Sequence, residues 1–232
     1  SSKTLIVKYL MNNSLDKTRF DCRILPLSNS STQNSLSRFF QYYMHRRIKN
    51  FSPLKGMRMV FFLDNLGSVK PEIYGAQPPL ELLRQFFDQG GWYNTATVEF
   101  NGILDSTVIA AMGIPGGGLY GIPQRLMRHF VTFHLPKYSI EDDQFILNSL
   151  LTAHFKHYAN FVSEILPVSV TATLDFYKSC LQTLLPIPSK LHYIFGMRDI
   201  IRVYKGMMLE PPELVTDKTN FILLWYHEMT RT

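Results

Sequence analysis

The segment Met57 to Asp64 constrains the fold more than any other: four apolar residues in succession, Val60-Phe61-Phe62-Leu63, run straight into a carboxylate. A strand with one face in water alternates apolar and polar residues. An unbroken run of strand length therefore predicts burial on both faces, the signature of a parallel sheet covered by helices. Thr107 to Met112 is a second segment of this kind.

Helical and strand patterns alternate around these two. Leu5 to Met11 predicts an amphipathic helix, Cys22 to Leu27 a short strand, and Ser35 to Lys49 a helix capped from the polar loop Ser28 to Asn34 and broken at Phe51-Ser52-Pro53. Pro78 and Pro79 suit the first turn of a helix over Leu80 to Gln89, and Gly90-Gly91 ends it. Val98 to Leu104 suits a hairpin arm. After a glycine-rich loop, Gly113 to Gly121, come a short helix around Arg125 to His129 and a last strand, Val131 to Leu135. Beyond Pro136 the spacing is helical throughout: Ile140 to Lys156, Ser169 to Thr183, Met197 to Met208 and Lys218 to Thr230. The expected architecture is a parallel-sheet α/β subdomain over residues 1–136, then an α-helical lid over 137–232.

Composition excludes little beyond this. No apolar run approaches the ~20 residues of a membrane span, and two cysteines, Cys22 and Cys180, are no disulfide framework, which points to a reduced intracellular setting. The net charge of +6 raises the question of nucleic acid. Its densest cluster, His45-Arg46-Arg47 with Lys49, falls at the end of a helical pattern, where cations suit the helix dipole, so no nucleic-acid or membrane partner is expected. His192-Tyr193 and His227-Glu228 lack a second ligand at zinc spacing.

Chemistry enters with Lys3-Thr4, placed just before an apolar helix like the tail of a phosphate-binding loop. In such loops the Lys meets the β/γ-phosphates and the Thr meets Mg²⁺. The chain enters its first helix with almost no lead-in, which predicts a strand and glycines upstream. Asp64, about 60 residues on and at a buried strand's end, suits the magnesium-directing carboxylate of such an enzyme; read alone, it suits a turn equally well.

A longer pattern is more specific. Tyr74-Gly75-Ala76-Gln77-Pro78-Pro79-Leu80-Glu81-Leu82-Leu83-Arg84-Gln85, Gly90-Gly91-Trp92-Tyr93, Ala110 through Gly118, Arg125-Leu126-Met127-Arg128-His129-Phe130, Leu185 through Lys190, His192-Tyr193-Ile194-Phe195 and Arg198-Asp199 resemble the third AAA+ module of a dynein heavy chain of the axonemal type. The resemblance covers almost the whole chain. It implies a P-loop NTPase (AAA+) large subdomain with a helical lid, ATP or ADP with Mg at their junction, and a neighbouring module closing over the site. It also implies, through the parent protein, microtubules and dynein intermediate and light chains as partners, and the cytoskeleton of the ciliary axoneme as location. Residue by residue, Ser2, Lys3, Thr4 and Leu5 match the end of the phosphate loop. Thr4 and Asp64 match the magnesium set, and Arg198 matches the lid arginine that meets phosphates. Arg125 and Arg128 fall in the segment that reaches toward an adjacent module's site, where an arginine is worth ~10³–10⁵ in rate.

The chain departs from a working ATPase of this family at several points. Asn65 occupies the position of the water-orienting acid, and an amide cannot take a proton. Asp64-Asn65-Leu66-Gly67-Ser68-Val69 lacks the family's second acid and later Asn. Leu119-Tyr120 follows Gly118 where Arg-Asn is usual, Gln124-Arg125-Leu126 replaces Pro-Arg-Phe, and Gly113 replaces a polar sensor. Losing one such electrostatic group costs ~10²–10³ in rate. The expectation is a nucleotide-holding, regulatory or structural module with a degenerate hydrolytic site. An active ATPase and a nucleotide-free scaffold are the alternatives.

Overall fold

A computed structural model describes every residue except Ser1, Thr95, Ala96, Gly117, Pro186, Pro188, Leu191 and His192. The parts of the motifs above that fall on Gly117, Pro186, Pro188 and His192 lie outside the described residues. The chain divides into two compact units, Ser2–His134 and Leu135–Thr232.

The first unit opens with α1 (Lys3–Tyr9), extended by a wider turn over Leu10–Ser14, and continues through β1 (Phe20–Pro26) and α2 (Gln33–Tyr42). Then follow β2 (His45–Arg46), β3 (Asn50–Ser52), β4 (Arg58–Asp64), α3 (Pro78–Gln89), β5 (Gly91–Tyr93), β6 (Phe100–Ile103), β7 (Ser106–Ala111) and α4 (Gln124–Met127). A parallel three-stranded sheet runs β1-β4-β7. A mixed sheet, β2-β3-β6-β5, lies within the same unit.

The apolar run sits at the centre of the parallel sheet. Met59, Phe61 and Leu63 pack with Leu36 and Phe40 of α2 and Leu80, Leu83 and Phe86 of α3. Phe62 points the other way, onto Met11 and Ala111, with Val7, Leu15, Cys22 and Ile109 packed around them. Helices thus cover both faces of β4, and Phe61 and Phe62 are each fully buried, stabilising the unit by ~1.5–3 kcal/mol per side chain. α3 begins on Pro78 and ends at Gly90, whose φ of 72° is the left-handed stop that glycine permits.

Three expectations give way. The helix predicted to Lys49 ends at Tyr42, and His45 and Arg46 pair antiparallel with Ser52 and Phe51. Asn50 and Phe51 pair in turn with Gly102 and Ile103 of β6. Burial of Met44, Phe51 and Ser52 and these ladder bonds outweigh the local helical spacing, so the basic cluster caps no helix. Val131 to Leu135 is not a strand either. Val131 is 83% and Phe133 85% exposed; an isolated strand leaves its backbone groups to water and gains no ladder bonds. Thirdly, the helix predicted from Ser169 starts at Asn160 and carries Pro167 inside it.

The second unit comprises α5 (Ile140–His154), α6 (Asn160–Thr183), α7 (Met197–Met207) and α8 (Lys218–Arg231). Val162, Leu166, Val170 and Leu174 form a stripe at four-residue spacing on α6 and pack with Leu147 and Leu151 of α5, Ile200, Tyr204 and Met207 of α7, and Phe221 of α8. Gly206 lets α7 and α8 approach: a side-chain carbon there would overlap the carboxylate of Glu228. Glu228, only 7% exposed, is in turn held by Arg231, whose Nε donates at 2.9 Å.

Candidate functional site

In a parallel sheet the C-terminal strand ends lie together at one edge, where open α/β folds hold ligands. Here that edge brings Pro26, Asp64 and Ala111 into register. α1 is docked on the sheet through Val7 and Met11, and its first turn arrives at the same edge. The hydroxyl of Thr4 donates to both carboxylate oxygens of Asp64, at 2.9 Å to Oδ1 and 3.1 Å to Oδ2. Residues 60 apart in sequence thereby form one cluster of hard oxygen donors. Ser2 and Lys3 precede Thr4, half-buried like it; Leu5 turns outward at 66% exposure.

Such a donor set suits magnesium, which is commonly held by one or two protein oxygens while phosphate oxygens and waters complete its shell. Among the described residues no group of three or more His, Cys, Asp or Glu side chains is placed to hold a metal, so Thr4 and Asp64 fit a cation that arrives with a phosphate chain rather than an all-protein cage.

The chain leaves β4 through Asn65, left-handed at φ 68° and ψ 62°, and a tight turn over Leu66–Ser68. Asparagine tolerates this conformation better than most residues. Its carboxamide makes no hydrogen bond among the described residues, which leaves an acceptor and a donor, but no base, next to Asp64. The glycine loop that follows β7 returns to this turn: the Tyr120 N–H donates to the Gly67 carbonyl at 2.7 Å.

The two arginines near α4 are not equivalent. Arg125 is exposed and has no ion-pair or hydrogen-bond partner among the described residues. Arg128 is engaged: its Nη2 lies 2.7 Å from Oδ1 of Asp88, and His129 Nε2 lies 3.1 Å from the same oxygen. Arg84 holds the other Asp88 oxygen at 2.8 Å and Glu81 at 2.7 Å. The hydrogen bond from Arg128 is the main reason the Asp88 carboxyl titrates below its ordinary value. His129 also stacks on Phe87, ring centroids 5.6 Å apart. Asp88 escaped the sequence reading; its only signal was the helical spacing to Arg84.

Arg198 belongs to the helical unit, exposed in the first turn of α7. Asp199 does not pair with it: that carboxylate accepts from the Gly196 N–H at 2.9 Å and lies 3.4 Å from Arg202. Arg198 is left without a partner among the described residues.

Comparison with known proteins matches residues 1–138 to the family described as P-loop containing dynein motor region, and residues 169–232 to the AAA+ lid domain. The whole chain is 34% identical to Dynein axonemal heavy chain 1 of Homo sapiens over 251 residues, 6% of that protein. It is also 34% identical to human Dynein axonemal heavy chain 12 over 235 residues, 8% of it. Dynein axonemal heavy chain 2 of Mus musculus is 31% identical over 232 residues, again across the whole chain and 5% of the relative. The chain therefore spans a small fraction of these relatives' length.

Proposed function

The chain belongs to the P-loop dynein motor-region family, and from that premise we propose that it is a nucleotide-holding module of an axonemal dynein heavy chain, the third AAA+ module of the ring, which binds ATP or ADP without turning it over. The Thr4–Asp64 contact carries this reading. A hydroxyl and a carboxylate meet where a helix begins beside a parallel strand's end, the arrangement a magnesium–nucleotide complex requires. Ser2, Lys3 and Thr4 would face the phosphates, and Leu5, whose side chain turns outward, would offer only its backbone. Thr4 and Asp64 would hold magnesium, whose charge offsets that of the phosphate oxygens.

Hydrolysis is where the site falls short. Asn65 can orient a water but cannot accept its proton, and no carboxylate other than Asp64 is hydrogen-bonded to Thr4 among the described residues. The module would pass conformational change around the ring and offer Arg125 to the neighbouring module's site. Microtubules, intermediate and light chains and the ciliary axoneme belong to the parent heavy chain in this reading.

Mass spectrometry of this module's peptides after photo-crosslinking the intact motor with 8-azido-ATP tests it. The expected product is a triphosphate adduct that persists. Rapid conversion to diphosphate would favour the active ATPase, and the absence of any adduct would favour the scaffold.

A further inference from the structure

The glycine loop after β7 does more than lack polar groups. Gly113 lies two residues beyond Ala111, which is in register with Asp64. The first carbon of any side chain at position 113 would fall 2.6 Å from Cδ1 of Leu119. The space beside the end of β7 is therefore already filled, by a hydrocarbon from six residues downstream.

Several contacts hold Leu119 there. Gly116 and Leu119 exchange backbone hydrogen bonds of 2.9 and 3.1 Å, closing a turn in which Gly116 and Gly118 take φ values of 128° and 86°, conformations glycine adopts freely. The next residue, Tyr120, is stitched to Gly67 by the 2.7 Å backbone bond. Gly67 in turn permits the approach: a carbon there would lie 3.2 Å from the Tyr120 carbonyl oxygen and 3.7 Å from Leu119 Cβ. Leu119 is wedged between the end of β7 and the turn that carries Asn65.

We propose that Leu119 is a second, independent block on hydrolysis, an apolar wedge in the space where a polar side chain and an ordered water would otherwise stand beside Asp64 and Asn65. The proposal rests on the nucleotide-holding reading above. An ordered water needs two to four polar partners, and the Leu119 side chain supplies none. Asn65 withholds the base; Leu119 withholds the place for the water. Restoring the base alone therefore does not restore turnover. Removing the wedge as well opens that space to a water bonded to the introduced carboxylate, which accepts its proton as the water oxygen bonds to the γ-phosphorus and the β,γ-bridging oxygen departs with ADP.

The test uses the intact heavy-chain motor and the 8-azido-ATP adduct, comparing the parent, Asn65→Glu, Leu119→Ala and the double variant. The expected result is persistent triphosphate in the first three and conversion to diphosphate at least ~10²-fold faster in the double variant. Conversion in Asn65→Glu alone at the double variant's rate overturns the wedge and leaves nucleotide holding intact; so does a double variant that keeps its adduct and does not convert. A parent motor without any adduct overturns the nucleotide-holding reading itself, and the wedge with it. If the double variant does not fold, the steric half is read from Gly113→Ala: a lowered melting temperature, restored by adding Leu119→Ala, supports the wedge, and absence of that rescue refutes it.

Discussion

The two sides of the β4 terminus differ sharply. On the α1 side, Thr4 and Asp64 keep a polar pair whose geometry joins distant parts of the chain. On the β7 side, a few residues away, Asn65, Gly67, Gly113 and Leu119 form a surface with an amide, two bare glycines and a hydrocarbon. Holding a charged ligand needs only a few fixed donors, whereas cleaving it needs a placed water and a base. The proposed holding of nucleotide and the proposed loss of its cleavage therefore rest on different sides of one strand end.

The largest expected effect lies outside this site. If the module's remaining catalytic contribution is made to its neighbour, Arg125→Ala in the intact motor slows hydrolysis at the adjacent site about 10³-fold. Arg128→Ala, whose guanidinium is committed to Asp88, changes it far less. Single-turnover kinetics on both variants measure this, and equal losses would end the distinction between the two arginines. Next comes Asp64→Ala, which weakens nucleotide retention ten- to hundredfold, the worth of roughly 1.5–3 kcal/mol for hydrogen bonds to a charged group. Equilibrium binding of a fluorescent ATP analogue to this module reads it, with Leu119→Ala as the control that keeps affinity. Retention unchanged by Asp64→Ala would erase the contrast between the two sides. Thr4→Val keeps shape and loses the hydroxyl, so the same titration is expected to show a loss of about tenfold.

The smallest effect concerns pH. Arg128, Arg84 and His129 all face Asp88, and its carboxyl titrates below the ordinary value because Arg128 holds the charged form. A depressed folded-state pKa contributes stability that is complete above the unfolded value of ~3.9 and is lost as pH falls through the lower, folded one. The clamp on Arg128 is thus intact throughout the neutral range. NMR titration of the Asp88 carboxyl carbon is expected to give a midpoint below ~3.9; a midpoint at or above it would mean that Arg128 is as loose as Arg125.

Sequence alone determined the parts of this protein that a local pattern can encode. The Val60–Leu63 run specified a strand buried on both faces, and Pro78 with Gly90 bracketed α3. Order along the chain singled out Lys3, Thr4 and Asp64, and the family resemblance added Asn65. These features are legible because burial leaves a periodicity of two or 3.6 and because proline and glycine act on their own backbone. Only the tertiary structure decided the rest. The two- and three-residue strands at His45 and Asn50 carry too little pattern to be read and exist because partners reach them from Ser52 and Gly102. Val131 to Leu135 has a strand's alternation and no strand partner among the described residues. That Thr4 touches Asp64, that Asp88 restrains Arg128, and that Leu119 fills the space at Gly113 are all contacts between residues whose spacing carries no signal. They depend on how loops close in three dimensions, which hydrophobic periodicity does not specify.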